Sequence, residues 1–285
     1  MFWDGRATGW TLHDPLAEQA QGPFENPVEM GIDRNIVVER VAAASYASLF
    51  LQVYPDTDFE DVNGTYDNIA RAIAAYERSS AVTKFNSRFD RFWKECQARK
   101  IDVSEIDTTT DLSKLPQGIL TNRQLQGLAL FNDADRGKCA SCHSTVNFTD
   151  AEGNAVPPLF TDYTYANLGI PTNGRLYELA GGEPPDYGLG GFLESQKIDG
   201  YQAEYGKFKV PTLRNVTKSR PYGHNGYFTA LEDVVHFLNT RNVAVIWPEP
   251  EYPATMSNEL GDLQLTDVEE ASIVAFMHSL TDDSQ

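Results

Sequence analysis

Cys139-Ala140-Ser141-Cys142-His143 constrains this chain more than any other feature, because Cys-x-x-Cys-His is the spacing at which two thiols and an adjacent imidazole hold a c-type haem. The thiols add to the haem vinyl groups, and the histidine supplies an axial nitrogen to the iron. Two other uses of the motif fit less well. Structural zinc takes four ligands, usually as two pairs, and the third cysteine, Cys96, stands far upstream in a helical stretch without a partner. A thioredoxin-like dithiol belongs beside a βαβ pattern. Here a helical stretch precedes Cys139 and an irregular one follows it.

A length of 285 residues suggests about two domains, each large enough for its own core. The formal net charge of −18 argues against nucleic acid, whose binding requires clustered Lys and Arg; it fits steering of a basic protein partner and equally a surface that serves solubility alone. No apolar run reaches the roughly 18 residues of a membrane span. The segment Met1-Phe2-Trp3-Asp4-Gly5-Arg6 lacks the basic then apolar layout of a signal peptide. Haem c is attached outside the bacterial inner membrane, so a periplasmic protein is expected, with its leader removed or its chain beginning late.

The patterning is mostly helical. Asn35 to Tyr54, Tyr66 to Arg78 and Ser87 to Ala98 read as amphipathic helices, with Cys96 a buried, unpaired residue of the third. The polar stretch from Asp102 to Ser113 reads as a linker. Thr121 with Gln124, Thr229 with Glu232 and Thr266 with Glu269 match capping boxes, which open helices running to about Phe131, Leu238 and Leu280. Between Ser144 and Arg220, Gly, Pro and Asn are frequent and periodicity is weak, as expected of loops wrapping a large prosthetic group. The expected fold class is all-α. Residues 1–113 would form a partial helical domain with its linker, and residues 114–285 a cytochrome c-like haem domain.

Several further segments bear on function: Phe2-Trp3-Asp4-Gly5-Arg6-Ala7, Gln19-Ala20-Gln21-Gly22-Pro23, Asn26-Pro27-Val28-Glu29-Met30, Val210-Pro211-Thr212-Leu213-Arg214-Asn215-Val216 and Pro221-Tyr222-Gly223-His224-Asn225-Gly226. In order and spacing they resemble the bacterial di-haem cytochrome c peroxidase family, which includes the MauG enzymes. The resemblance implies two haem c domains, hydrogen peroxide as substrate and a small cytochrome or cupredoxin as electron donor; the sequence leaves the oligomeric state open, a homodimer being one option. Trp3 would lie between the haems, with Gln19 and Glu29 over the peroxidatic iron. A glutamate suits that place because peroxide must lose a proton from one oxygen and gain it on the other as the O–O bond breaks. Taken alone, Trp3 reads as a packing residue and Glu29 as a solvated acid.

The sequence departs from the family pattern in two places. The family's first Cys-x-x-Cys-His precedes the Phe-Trp-Asp-Gly-Arg motif, where this chain begins, so an N-terminally truncated sequence is expected. The position at which the family carries a methionine or tyrosine as sixth ligand is Leu238, which cannot coordinate iron. His236 should face away from it, since two residues are about 200° apart around a helix. Met256, Met277 and His278 are the other potential donors, and the expectation is a five-coordinate or weakly ligated iron at His143. The family also holds calcium, and the matching backbone carbonyls are those of Ser219 and Pro221, in a site that would be weak. Arg214 and His224 read as structural residues. Three functions follow: a haem peroxidase, a mono-haem electron carrier, and a MauG-like oxidase of a protein partner.

Overall fold

The computed structural model describes residues 2–150, 153–182, 185–243 and 245–283. The chain divides into two compact units, Met1–Lys84 and Phe85–Gln285. In the first, α1 (Pro15–Glu25) starts at Asp14, whose carboxylate accepts from the backbone N–H groups of Leu16 and Ala17, with Pro15 supplying the fixed φ of a first helical residue. It packs on α4 (Val62–Glu77) through alanines, Ala17 and Ala20 against Ala70 and Ala74, whose small side chains let the helices approach closely. A second apolar cluster joins α4 to α2 (Arg34–Ala42) and α3 (Ala47–Val53) through Val37, Val38, Val41, Phe50, Tyr66 and Ile69.

The expected single helix from Asn35 to Tyr54 is thus two helices. A break at 43–46 bends the chain by 102° between them. Continued straight, it would carry Phe50 away from the cluster that Val37 and Val41 enter. Burial overrides the helix propensity of the intervening alanines.

The second unit is built on α5 (Arg88–Ala98), α6 (Asn122–Asn132) and α10 (Asp267–His278). Phe89, Phe131, Phe160 and Phe276 meet edge to face at its centre, with ring centroids 5.0 to 6.2 Å apart. α6 crosses α10 at Gly127, where there is no room for a side chain. Cys96 is fully buried in this core.

The compact units divide after Lys84, upstream of the expected boundary at 113/114. α5 and the stretch taken for a linker belong to the second core. Val103 and Ile106 are buried in it, and the Asn132 side chain donates to both their carbonyls, at 2.9 and 2.8 Å.

Of the three capping boxes, those at Thr121 and Thr266 are formed. The one at Thr229 is not: α9 (Leu231–Thr240) starts after Ala230, which makes no side-chain cap bond. A bridge between Tyr222 and Phe228, together with the burial of Phe228 and Leu231, sets the chain's phase there. The loop-rich region holds two short antiparallel ladders, β1 (Phe148–Thr149) with β2 (Ala155–Val156) and β3 (Tyr165–Ala166) with β4 (Phe208–Lys209). It also holds α7 (Gly174–Leu179) and α8 (Gly188–Ser195). Among the described residues, no single helix is long and apolar enough to cross a membrane.

Candidate functional site

α6 delivers the chain to Lys138, whose left-handed backbone (φ 57°) turns it into a short 3-10 helix over Cys139–Ser141. The turn closes with the His143 N–H donating to the Cys139 carbonyl at 2.8 Å. Both cysteines are half-buried free thiols. Burial pushes the Cys139 thiol up to about 12 and raises Cys142 as well, so both stay protonated until they react.

The His143 imidazole has its Nδ1 2.9 Å from the carbonyl oxygen of Phe160. A carbonyl only accepts, so the proton is on Nδ1 and the lone pair on Nε2. Burial pulls the His143 pKa down, against the smaller opposing effect of the Phe160 carbonyl. A neutral ring with a fixed tautomer is what an iron ligand requires. Two thiols and one oriented imidazole therefore fit a covalently bound haem. Zinc lacks a ligand set, since no group of three or more His, Cys, Asp or Glu side chains converges among the described residues.

The potential sixth ligands separate by environment. Met277 is buried in the main core, and His278 is exposed on α10. His236 turns to Glu270, Nδ1 to Oε1 3.0 Å, on a different side of α9 from half-buried Leu238, as the helical spacing predicts. Met256 lies against Gly169, so closely that a Cβ there would come within 2.3 Å of its Sδ.

Arg241, absent from the sequence reading, clamps this region. Its guanidinium donates to the carbonyls of Leu168, Ser257 and Leu260. Burial lowers its pKa, and its Nε is buried without a hydrogen-bond partner among the described residues. A desolvated cation held only by carbonyls suits an anionic group such as a haem propionate.

Arg214 and His224 are buried and paired. Arg214 meets Asp90 at 2.7 Å with side-chain exposures of 8% and 0%. His224 meets Glu251 at 2.7 Å and stacks on Phe208, ring centroids 3.8 Å apart. Ser219 and Pro221 lie on an exposed turn.

Trp3, Gln19 and Glu29 all belong to the first unit. The Phe2 ring docks on α1 at Gly22, where a Cβ would fall 2.7 Å from Phe2 Cζ, so the two N-terminal motifs are in contact. Trp3 is 51% exposed and Gln19 half-buried on α1. Glu29 is exposed and accepts from Asn26 Nδ2 at 2.6 Å. Its neighbour Met30 lines an apolar cavity of about 440 Å³ with Phe24, Ile32, Val37, Phe50 and Ile69. Glu18 gathers the loop before α1, accepting from the N–H groups of Gly9, Thr11 and Leu12 at 2.6 to 3.0 Å. Burial would raise its pKa, but these bonds together hold it down.

A sequence model of the family described as di-haem cytochrome c peroxidase matches residues 1–98. The methylamine utilization protein MauG of Paracoccus denitrificans is 31% identical over 300 residues, covering 99% of this chain and 67% of that protein. This chain belongs to the di-haem cytochrome c peroxidase and MauG family. Cytochrome c551 peroxidase of Pseudomonas aeruginosa is 28% identical, over 98% of this chain and 60% of its own length. A solved structure of a variant of the diheme peroxidase BthA from Burkholderia thailandensis superposes with a TM-score of 0.74 at 26% identity, covering 99% of this chain and 65% of that one. The chain therefore spans 60 to 67% of the length of these family members.

Proposed function

We propose that this chain forms the electron-entry part of a periplasmic peroxide-reducing oxidoreductase. A small donor protein, a cytochrome c or a cupredoxin, delivers electrons at the haem of Cys139, Cys142 and His143, and they pass to a peroxide site walled by Trp3, Gln19 and Glu29. The observation that carries the reading is the His143–Phe160 bond beside two free thiols, which prepares one imidazole nitrogen for iron. Haem bound there supplies reversible one-electron chemistry. Cys139 and Cys142 would anchor it, His143 Nε2 would ligate the iron, and Arg241 would balance propionate charge.

At the peroxide site, the Glu29 carboxylate takes the proton from one peroxide oxygen and returns it to the other, while Gln19 orients the molecule by hydrogen bonding. The apolar cavity next to Met30 supports a second haem face on this unit. Leu238, with no donor atom, would add no ligand to an iron held by His143. The Ser219 and Pro221 carbonyls, on an exposed turn, would offer calcium two oxygen ligands of a weak site. A second reading, a MauG-like oxidase of a protein partner, is favoured by the 31% identity to MauG.

Production alongside a haem c maturation system, followed by pyridine haemochrome assay, tests the haem. One covalent haem bound through Cys139 and Cys142 is expected, lost when both are replaced by alanine. A chain free of covalent haem overturns the reading. In a protein loaded with both haems, Glu29→Gln should lower peroxide turnover by roughly 10²- to 10⁴-fold. Turnover unchanged by that substitution removes the assigned role, and reversible electron exchange with no peroxide reduction identifies a carrier.

A further inference from the structure

We propose that Arg214 is a positioning residue for the iron ligand, acting through the backbone carbonyls of residues 158–160; this rests on His143 being that ligand. Three successive carbonyls there are each taken by a donor from elsewhere in the chain. Pro158 O accepts from Arg214 Nε at 3.0 Å and Nη2 at 2.8 Å, Leu159 O accepts from Thr212 Oγ1 at 2.5 Å, and Phe160 O accepts from His143 Nδ1 at 2.9 Å. Thr161 closes the clamp in the other direction, donating to Val210 O at 2.6 Å. The segment from Val210 to Arg214 thus holds the segment that holds the histidine.

The clamp is needed because Phe160 has φ 55°, a left-handed backbone that a bulky residue adopts only when its surroundings over-determine it. Arg214 is itself fixed from two sides. Its Nη1 donates to Asp90 Oδ1 at 2.7 Å, while Asp90 Oδ2 accepts from the Ser87 N–H and hydroxyl in the capping box of α5. Its guanidinium also lies over the Phe85, Phe89 and Phe160 rings, 4.9 to 5.7 Å from their centroids. A planar fork can bond Asp90 and Pro158 O together. A lysine ammonium at the end of a flexible stem cannot reproduce that pair of fixed directions.

The test uses the haem-loaded ferric protein. Its readout is the solvent exchange rate of the axial histidine Nδ1–H, followed as a hyperfine-shifted proton resonance, together with the midpoint potential. Arg214→Lys should speed exchange at least tenfold and raise the potential, because a weaker Nδ1–H bond makes the imidazole a poorer donor to ferric iron. Thr212→Val, which changes no charge, should act in the same direction and serves if the lysine variant fails to fold. Val37→Ala, which opens the core of the first unit and touches no residue of the clamp, should leave exchange unchanged. Haem present with exchange unaltered in both clamp variants, or altered equally in Val37→Ala, overturns the proposal. Absence of covalent haem would instead overturn the haem reading on which it rests.

Discussion

Gly127→Ala adds one methyl group where α6 crosses α10. A Cβ at that position falls 1.9 Å from the Ser272 carbonyl oxygen, 2.6 Å from its carbon and 2.8 Å from Phe276 Cβ. Non-bonded heavy atoms settle at about 3.5 Å or more, so the helices must part by roughly 1 Å or more, and the obstruction is backbone that cannot rotate away. Overpacking of this kind costs about 3 kcal/mol or somewhat more. Replacing a helical glycine by alanine returns ~1 kcal/mol. The net expectation is ~2–3 kcal/mol of destabilisation, a melting temperature lower by about 5–10 °C for a unit of this size. Guanidinium unfolding followed by far-UV circular dichroism reads it. Gly174→Ala is the control, because that Cβ would meet nothing within 4 Å, and it should stay within ~0.5 kcal/mol of the parent. A Gly127→Ala protein as stable as the parent would refute the packing of α6 on α10.

Leu238→Met should place a thioether where the iron at His143 lacks a strong ligand, giving a low-spin His/Met spectrum and a higher potential; unchanged spectra would show that this face of α9 does not meet the iron. Asp14, paired with Arg78 at 2.7 and 2.9 Å and capping α1, has its pKa lowered to about 2, mainly by that side-chain bond. Its folded value lies below the unfolded one of about 3.9, so its contribution is present above pH ~4 and lost as pH falls from there towards ~2. Arg78 is half-exposed, and screening reduces the contribution to about 1 kcal/mol. Asp14→Asn should therefore flatten the acid side of the first unit's urea-stability profile, and a profile parallel to the parent's would refute the pairing. Cys96, buried with its thiol pushed up to about 12, should resist thiol reagents in the native holoprotein and react only after unfolding, which a colorimetric thiol count checks.

Features written locally in the sequence were the legible ones. The haem motif, the caps at Thr121 and Thr266 and the burial of Cys96 each depend on residues a few positions apart. The family motifs, read together, gave the membership and the all-α fold. What was not legible depends on distant partners. Two apolar residues, Val103 and Ile106, draw a polar stretch into the second core, and nothing nearby marks it. Asp90 reads as a surface acid of an amphipathic helix until Arg214 arrives from 124 positions away. Phe160 is a left-handed residue without the glycine that usually announces one. Arg241 is an ordinary helix-end arginine in sequence and a three-carbonyl clamp in the structure.

Phe160 also joins two demands that most proteins keep on separate residues. Its ring is wholly buried among Phe89, Phe131 and Phe276, while its carbonyl orients the imidazole of His143. The haem spectrum should therefore report on the core: as those rings loosen on heating, the axial histidine loses its orientation before the covalent haem can leave. The same coupling narrows what selection can accept. Glycine would relax the backbone and leave a cavity, whereas any large apolar residue fills the space and keeps the strain. Such a site holds its haem only as firmly as the hydrophobic core behind it is packed.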